Sequence, residues 1–364
     1  MNIHKLSLPV ILCISLTGLQ AQLSQAEIDS IVNYQVRQLT DKSNLFGLSL
    51  GIYYAGQEYF YNYGSTEVGG QPPATENTVY EIGSITKTFT GILLAQAVAE
   101  DRIKLSDDIR DHLNGNYTNL VYGDIPVQVV YLANHSSGLP EDLIPQEFYS
   151  FADPTLWDII NFYEGDDGTL FRRDLQQASL ESEPGTKIQY SNAGMIVLGM
   201  ILENVYGENY SDLIRERFAQ KLGMINTATV SFVNDTSAYT KGYDKKGNIM
   251  PHITFQIAGA AGGLISTAKD MVAYMAANLA GVDPAFGLAH GSTAAIAGQT
   301  IGLGWQIGQD DRGMKMLWHD GGEPGFSSYI SIIPERKLGI VCLTNQRGRQ
   351  NQLTDLSQRI LSEL

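Results

Sequence analysis

The chain of 364 residues is 43% hydrophobic and 17% charged, enough apolar material for a full core, which excludes a disordered chain, a collagen-like repeat and a small disulfide scaffold. Lys and Arg number 24 against 39 Asp and Glu, a formal net charge of −15; a surface this acidic repels phosphate backbones, so nucleic acid is excluded as a partner. The 37 glycines predict many tight turns between elements.

In chain order, Lys5 precedes an apolar stretch from Leu6 to Leu16, followed by the polar Thr17 to Ala21. That order of parts is expected of an export signal occupying residues 1–21 and cleaved after Ala21, which places the mature chain in the periplasm or outside the cell. The apolar part is shorter than the roughly 20 residues of a membrane span, so no stable span is expected after cleavage. Cys13 leaves with the signal. Cys342, flanked by Ile340, Val341 and Leu343, then stands alone and reads as a buried strand thiol.

Ile28, Val32, Val36 and Leu39 recur at helical spacing behind Ser24, predicting a helix over Gln25 to Leu39. Leu48 to Tyr54 and Tyr59 to Tyr63 are rich in β-branched and aromatic residues and read as a hairpin around Ala55 to Glu58. From Thr88 to about Met275 the pattern is mostly helical. Leu303 to Ile307, Met314 to Trp318, Ser328 to Ile333 and Leu338 to Thr344 read as strands, with a turn at Pro334 to Lys337, and Leu353 to Leu364 as a final amphipathic helix. Short connections between strands imply antiparallel pairing. The expected fold class is therefore α/β of the α+β kind: one antiparallel sheet built from both ends of the chain, flanked by the terminal helices, with an inserted all-helical subdomain. The corresponding boundaries are 22–87 and 276–364 for the sheet part and 88–275 for the helical part, all within one domain, 22–364.

Within that frame Ser84-Ile85-Thr86-Lys87 opens a helix whose continuation, residues 92–99, is apolar on nearly every side but Gln96. Lys87, three residues on, shares a helix face with Ser84. A serine hydroxyl is a weak nucleophile until a neighbour takes its proton, and a desolvated lysine, its pKa lowered by burial, can do so. Ser-x-x-Lys alone also describes a helix cap beside a solvated lysine. Further on, Tyr190-Ser191-Asn192 precedes a second apolar helical run, offering a phenol that shuttles a proton and an amide that donates and accepts. Trp318-His319-Asp320-Gly321-Gly322 is expected to follow a strand, where the glycines let a substrate approach the sheet edge and its backbone N–H groups.

These three motifs, with Ala133-Asn134-His135-Ser136-Ser137-Gly138-Leu139-Pro140, Lys221-Leu222-Gly223-Met224 and Ala261-Gly262-Gly263-Leu264-Ile265-Ser266-Thr267, make nearly the whole mature chain resemble the serine β-lactamase and penicillin-binding protein family, in its class C β-lactamase, D-aminopeptidase and esterase branch. The resemblance implies an antiparallel sheet with helices on both faces, beside an all-helical domain and a cleft between them. It implies Ser84 as the acylated nucleophile, Lys87 as its partner, Tyr190 as general base and acid, and Asn192 as a binder of the substrate amide. It also implies an oxyanion hole from the N–H groups of Ser84 and Gly322, with His319 and Gly321 in the substrate site and His135 structural. The expected activity is serine hydrolysis of an amide or ester bond in a small-molecule or peptide substrate: a β-lactam, a D-amino-acid peptide or a small ester. The alternative is a non-hydrolytic protein that binds penicillin or cell-wall peptides.

One departure bears on substrate. Where class C β-lactamases carry Lys-Thr-Gly, this chain has His319-Asp320-Gly321, replacing an obligate cation by an imidazole of reference pKa ~6.5. Small esters and D-amino-acid peptides are therefore expected to be better substrates than penicillins. His112, His135, His252, His290 and His319 show no zinc-binding spacing, so no metal is implied, and without a phosphate-loop or dinucleotide signature no cofactor is implied either.

Overall fold

The computed structural model describes residues 23–40, 46–143, 162, 166–230, 239–252, 256–281 and 283–364; the expected export signal lies outside them. Helix α1, Gln25–Thr40, starts at a capping box in which the Ser24 N–H donates to Glu27 Oε2 (2.8 Å) and the Glu27 N–H donates back to Ser24 Oγ (3.4 Å). Strands β1 (Gly47–Tyr54) and β2 (Gln57–Gly64) close over a two-residue turn. Ala55 and Gly56 both have positive φ, 49° and 88°, the backbone that matches the strands' own twist, so the turn is tighter than expected and Gln57 and Glu58 stay in the ladder.

The remaining strands of the main sheet come from the far end of the chain: β3 (Ala294–Ile296), β4 (Gln299–Ile301), β5 (Gln306–Gln309), β6 (Lys315–Gly322), β7 (Ser327–Ile333) and β8 (Leu338–Thr344). Their order is β3-β4-β5-β6-β7-β8-β1-β2, and the pairs are antiparallel. The chain ends meet where β1 pairs with β8, from Leu48 opposite Thr344 to Tyr54 opposite Leu338. Leu303 to Trp305, expected in a strand, instead fold back: the Leu303 N–H donates to Ala289 O and the Gly304 N–H to Ala133 O, each at 2.9 Å.

Alternation along β8 divides the core. Leu338, Ile340 and Cys342 face α1 and the last helix of the chain, whereas Val341 and Leu343 face the larger cluster around the helices inserted between β2 and β3. Each fully buried Leu or Ile contributes about 1.5–3 kcal/mol. Cys342 is wholly buried, its Sγ 3.3 Å from Ser357 Oγ.

Of those inserted helices, α2 is Thr86–Ala99, buried from Thr86 to Ala97, α3 is Asn192–Tyr206 and α4 is Ala268–Ala280; α5 is Gln350–Glu363. Helix α4 spans the expected 275–276 boundary and packs on β1 and β8, so it goes with the sheet. A small three-stranded sheet of Tyr80–Glu81, Leu264–Ser266 and Ala228–Thr229 anchors the segment that enters α2. Helix α2 passes so close to the 302–304 turn that a Cβ on Gly91 would collide with the Leu303 carbonyl. Among the described residues no helix is long and apolar enough to cross a membrane.

Candidate active site

Ser84 lies in a single 3₁₀ turn, Gly83–Ile85, that runs directly into α2. Gly83 has φ +52°, and a Cβ there would stand 2.8 Å from the Gly322 nitrogen, so the turn and the end of β6 touch backbone to backbone. Trp318 to Gly322, expected to follow a strand, lie within β6, with Gly321 opposite Ser328 and Gly322 opposite Ser327. The glycines do not end the strand because the close approach needs them: a Cβ on Gly321 would collide with the Ile82 carbonyl, to which Ser328 Oγ donates at 2.7 Å. This pins the Ser84 turn against the sheet edge.

Lys87 is the next turn's contribution. Its side chain is wholly buried, and Nζ lies 3.0 Å from Ser84 Oγ, 2.8 Å from Asn192 Oδ1 and 2.6 Å from the Ala261 carbonyl oxygen. Burial lowers its pKa to about 7, with the charges of Glu323, Asp142, Asp320 and Glu141 partly opposing. Two of its three partners are acceptors only, so two N–H groups are committed. The third position, toward Ser84, is a donated N–H in the ammonium and a lone pair in the amine. The proton can therefore move along the Ser84–Lys87 line without breaking the other two bonds.

Tyr190 and Asn192 arrive together at the start of α3. Ser191 caps that helix by accepting from the Gly194 N–H (2.9 Å) and donates to the Pro140 carbonyl (2.6 Å). This places the Tyr190 hydroxyl, donating, 2.6 Å from Ser84 Oγ. Burial pushes the phenol above its ordinary pKa, against the lowering effect of the Ser84 bond, so it rests protonated. Lys87 Nζ lies 4.8 Å from the centre of its ring. Asn192 Nδ2 donates to Asp142 Oδ1 (3.1 Å), which fixes the amide so that its oxygen faces Lys87.

His319 is 3% exposed; its Nδ1 lies 2.6 Å from the Asp320 carbonyl oxygen, and its ring centre is 6.4 Å from that of Tyr190. Burial holds it below its ordinary range, so it is neutral at pH 7. His135 has the left-handed φ of +59°. It accepts the Ser191 N–H at Nδ1 (3.3 Å) and packs against Tyr190 at 4.6 Å between ring centres. A cleft of about 410 Å³ opens beside these rings, lined by His135, Ile188, Tyr190, Ile301, Ile307 and Trp318. Among the described residues no three His, Cys, Asp or Glu side chains are grouped to hold a metal.

The structure thus brings Ser84, Lys87, Tyr190 and Asn192 into one hydrogen-bonded cluster, with β6 alongside. Sequence reasoning missed Ala261, whose carbonyl holds Lys87, because a backbone acceptor leaves no residue-type signal; only its place in the Ala261 to Thr267 segment pointed there. It also missed Glu323, whose Oε1 stands 2.9 Å from where a Cβ on Gly262 would be. Glu323 is four residues past His319, and a search for acids next to the glycines would have found it.

A profile of the beta-lactamase family matches residues 32–363. Among curated proteins, the chain is 24% identical to a beta-lactamase of Pseudomonas fluorescens, covering 93% of this chain and 99% of that one. It is 26% identical to a beta-lactamase of Yersinia enterocolitica, covering 90% and 89%. Among solved structures, a class C beta-lactamase superposes with a TM-score of 0.79 at 24% identity over 94% of this chain and 100% of that one. A beta-lactamase/D-alanine carboxypeptidase from Pseudomonas syringae superposes at 0.75 and 22% identity over 92% and 98%. These neighbours establish the mixed α/β fold with its antiparallel sheet.

Proposed function

The chain belongs to the beta-lactamase family and is a serine hydrolase, and from that premise we propose that Ser84 attacks the carbonyl of a small ester or amide to form an acyl-enzyme. The observation that carries this assignment is the double contact at Ser84 Oγ, 3.0 Å from Lys87 Nζ and 2.6 Å from Tyr190 Oη. In the attacking state Lys87 is the amine. The Ser84 proton passes to Nζ as the Oγ–carbon bond forms, and the N–H groups of Ser84 and Gly322 stabilise the oxyanion. Tyr190 then gives its proton to the leaving group and recovers one from the lysine side. In deacylation the amine of Lys87 takes the Tyr190 proton as the phenol oxygen accepts one from the attacking water, and Lys87 returns a proton to Ser84 Oγ as the acyl bond breaks. Asn192 holds Lys87 in place and presents its amide to the substrate, while Gly321 and His319 line the adjoining sheet edge.

Substrate preference follows from charge. His319 stands neutral where an obligate cation would attract the carboxylate of a penicillin, so small esters and D-amino-acid peptides are the better substrates. The expected export signal places the activity in the periplasm or outside the cell. Two walls bound the cleft: the sheet part, and the helical insertion from residue 88, whose second junction falls near residue 267 because α4 packs on the sheet. Intact-mass analysis after exposure to a fluorophosphonate tests the assignment: one adduct forms on the wild type and none on Ser84→Ala, whose ester turnover falls by about 10³-fold or more. Labelling that persists in Ser84→Ala overturns it. An acyl-enzyme that forms with esters but never turns over identifies a binding protein instead.

A further inference from the structure

The carbonyl that takes one N–H of Lys87 belongs to Ala261, which directly follows a 3₁₀ turn, Gln256–Ala260. Carbonyls at such an end find no partner within the turn and must be satisfied from elsewhere. Here α2 supplies the partners. Thr90 Oγ1 donates to the Ala260 oxygen at 2.7 Å, one helical turn along from Lys87, whose Nζ donates to the Ala261 oxygen at 2.6 Å. Thr86, one turn before Thr90, accepts the Leu264 N–H at its Oγ1 (3.3 Å). Thr86, Lys87 and Thr90 thus fasten residues 260–264 to one side of α2, with the lysine between the two threonines.

The direction of these bonds is fixed by proton counting. A threonine inside a helix ordinarily returns its proton to the carbonyl four residues back, but for Thr90 that oxygen, on Thr86, is 3.4 Å away, farther than Ala260. The hydroxyl has one proton and the Ala260 carbonyl only accepts, so in the 2.8 Å contact with Thr90 Oγ1 the Tyr210 hydroxyl is the donor. Thr90 is wholly buried and Tyr210 is 5% exposed, where a polar chain is tolerated only if its members are satisfied. Packing alone does not orient the segment. A Cβ on Gly199 of α3 would stand 2.5 Å from Ala260 Cβ, so α3 presses residue 260 toward α2, but a methyl contact sets the distance and leaves the carbonyls free to turn.

Resting on the serine-hydrolase reading above, we propose that Thr90, its hydroxyl set by Tyr210, is a positioning residue for the Ser84–Lys87 pair: it holds the 260–261 backbone so that the Ala261 carbonyl takes one fixed N–H of Lys87 and the open position on Nζ stays aimed at Ser84 Oγ. Neither Thr90 nor Tyr210 lines the cleft. A hydrogen bond to the charged form favours that form, so the Ala261 carbonyl supports the ammonium more than the amine. A slack segment therefore favours the amine while spoiling its aim, and the two effects can be read separately. The charged groups acting on Lys87 are Glu323, Asp142, Asp320 and Glu141, and His135 and His319 lie within its field. Behind Tyr210, Glu203 Oε1 accepts the Tyr210 N–H at 2.8 Å. Removing the Thr90 hydroxyl alters none of these side chains.

The test compares the full mature chain with Thr90→Val, Thr90→Ser and Tyr210→Phe on one neutral ester across the pH range at fixed salt, with melting temperature and fluorophosphonate labelling measured for each. In Thr90→Val, which keeps the shape and removes the proton, plateau kcat is expected to fall about threefold to tenfold with KM little changed. The acid limb of kcat/KM is expected to move down by about half to one pH unit, so that activity at low pH rises as a fraction of the plateau. Thr90→Ser restores both, and Tyr210→Phe moves the limb the same way by less. A Thr90→Val enzyme that only melts earlier, with the wild-type plateau and limb, overturns the proposal. So does a Thr90→Ser enzyme that loses as much as Thr90→Val, because the methyl and not the hydroxyl would then matter. If Thr90→Val does not fold, Tyr210→Phe decides, and an unmoved limb overturns the proposal. A wild type that is not labelled at Ser84, or whose profile has no acid limb, overturns instead the Ser84–Lys87 reading on which the proposal rests.

Discussion

At the scale of single residues, the site is governed by what burial does to protons. Lys87 has a pKa lowered to about 7 because its ammonium is desolvated, and in the proposed mechanism only the amine can take the Ser84 proton. On that mechanism kcat/KM for a neutral ester should be low at pH 5.5, rise about tenfold per unit below the inflection and level off above an apparent pKa near 7. A profile flat from pH 5.5 to 8.5 would show that Lys87 does not titrate in the working range. Tyr190 differs, since its phenol rests protonated and donates to Ser84 (2.6 Å). Tyr190→Phe keeps the ring against Lys87 and His135 while removing the proton, so steady-state turnover should fall by roughly 10² to 10⁴-fold and acyl-enzyme should accumulate in a mass spectrum. Wild-type turnover in that variant would reduce Tyr190 to packing.

At the scale of elements, the Ser84 turn is held by close backbone approaches rather than by side-chain packing alone. The 3₁₀ turn at Gly83–Ile85 is pressed on β6 through Gly83 and Gly321, and α2 is pressed on the 302–304 turn through Gly91. Gly91→Ala offers a clean test, because alanine raises helix propensity by ~1 kcal/mol while its Cβ meets the Leu303 carbonyl. The clash should win. The variant is expected to lose about 1–3 kcal/mol of stability, read as a lower midpoint in urea at unchanged slope. A more stable Gly91→Ala would mean that α2 can move away without loss.

For the whole molecule, a formal charge of −15 adds a long-range field to the local acids of the cleft. Anionic substrates should be slowed in reaching it and neutral ones should not. Raising ionic strength from 0.01 to 0.3 M shortens the screening length from roughly 30 Å to below 8 Å, so kcat/KM for a penicillin should increase several-fold while that of an uncharged ester stays constant. Equal salt dependence for the two would place the discrimination in the contact residues alone.

What could be read from the sequence was what depends on near neighbours along the chain. The α1 periodicity behind Ser24, the β1–β2 hairpin, the strand from Leu338 to Thr344 and the Ser84–Lys87 spacing are set by interactions within a few residues, which composition and period encode directly. Where those local signals met a tertiary demand, they failed: Leu303 to Trp305 read as strand but fold back onto Ala133 and Ala289, and Gly321 and Gly322 read as a strand's end but remain inside β6. The residue types of the site were equally legible, whereas their chemistry was not. Lys87 and Asn192 are 105 residues apart in sequence, Lys87 and Ala261 are 174 apart, and a pKa near 7, a neutral His319 and a buried Glu323 all result from desolvation by segments remote in the chain. Only the assembled core excludes water from that cluster, so the tertiary structure decided which of these groups holds a proton.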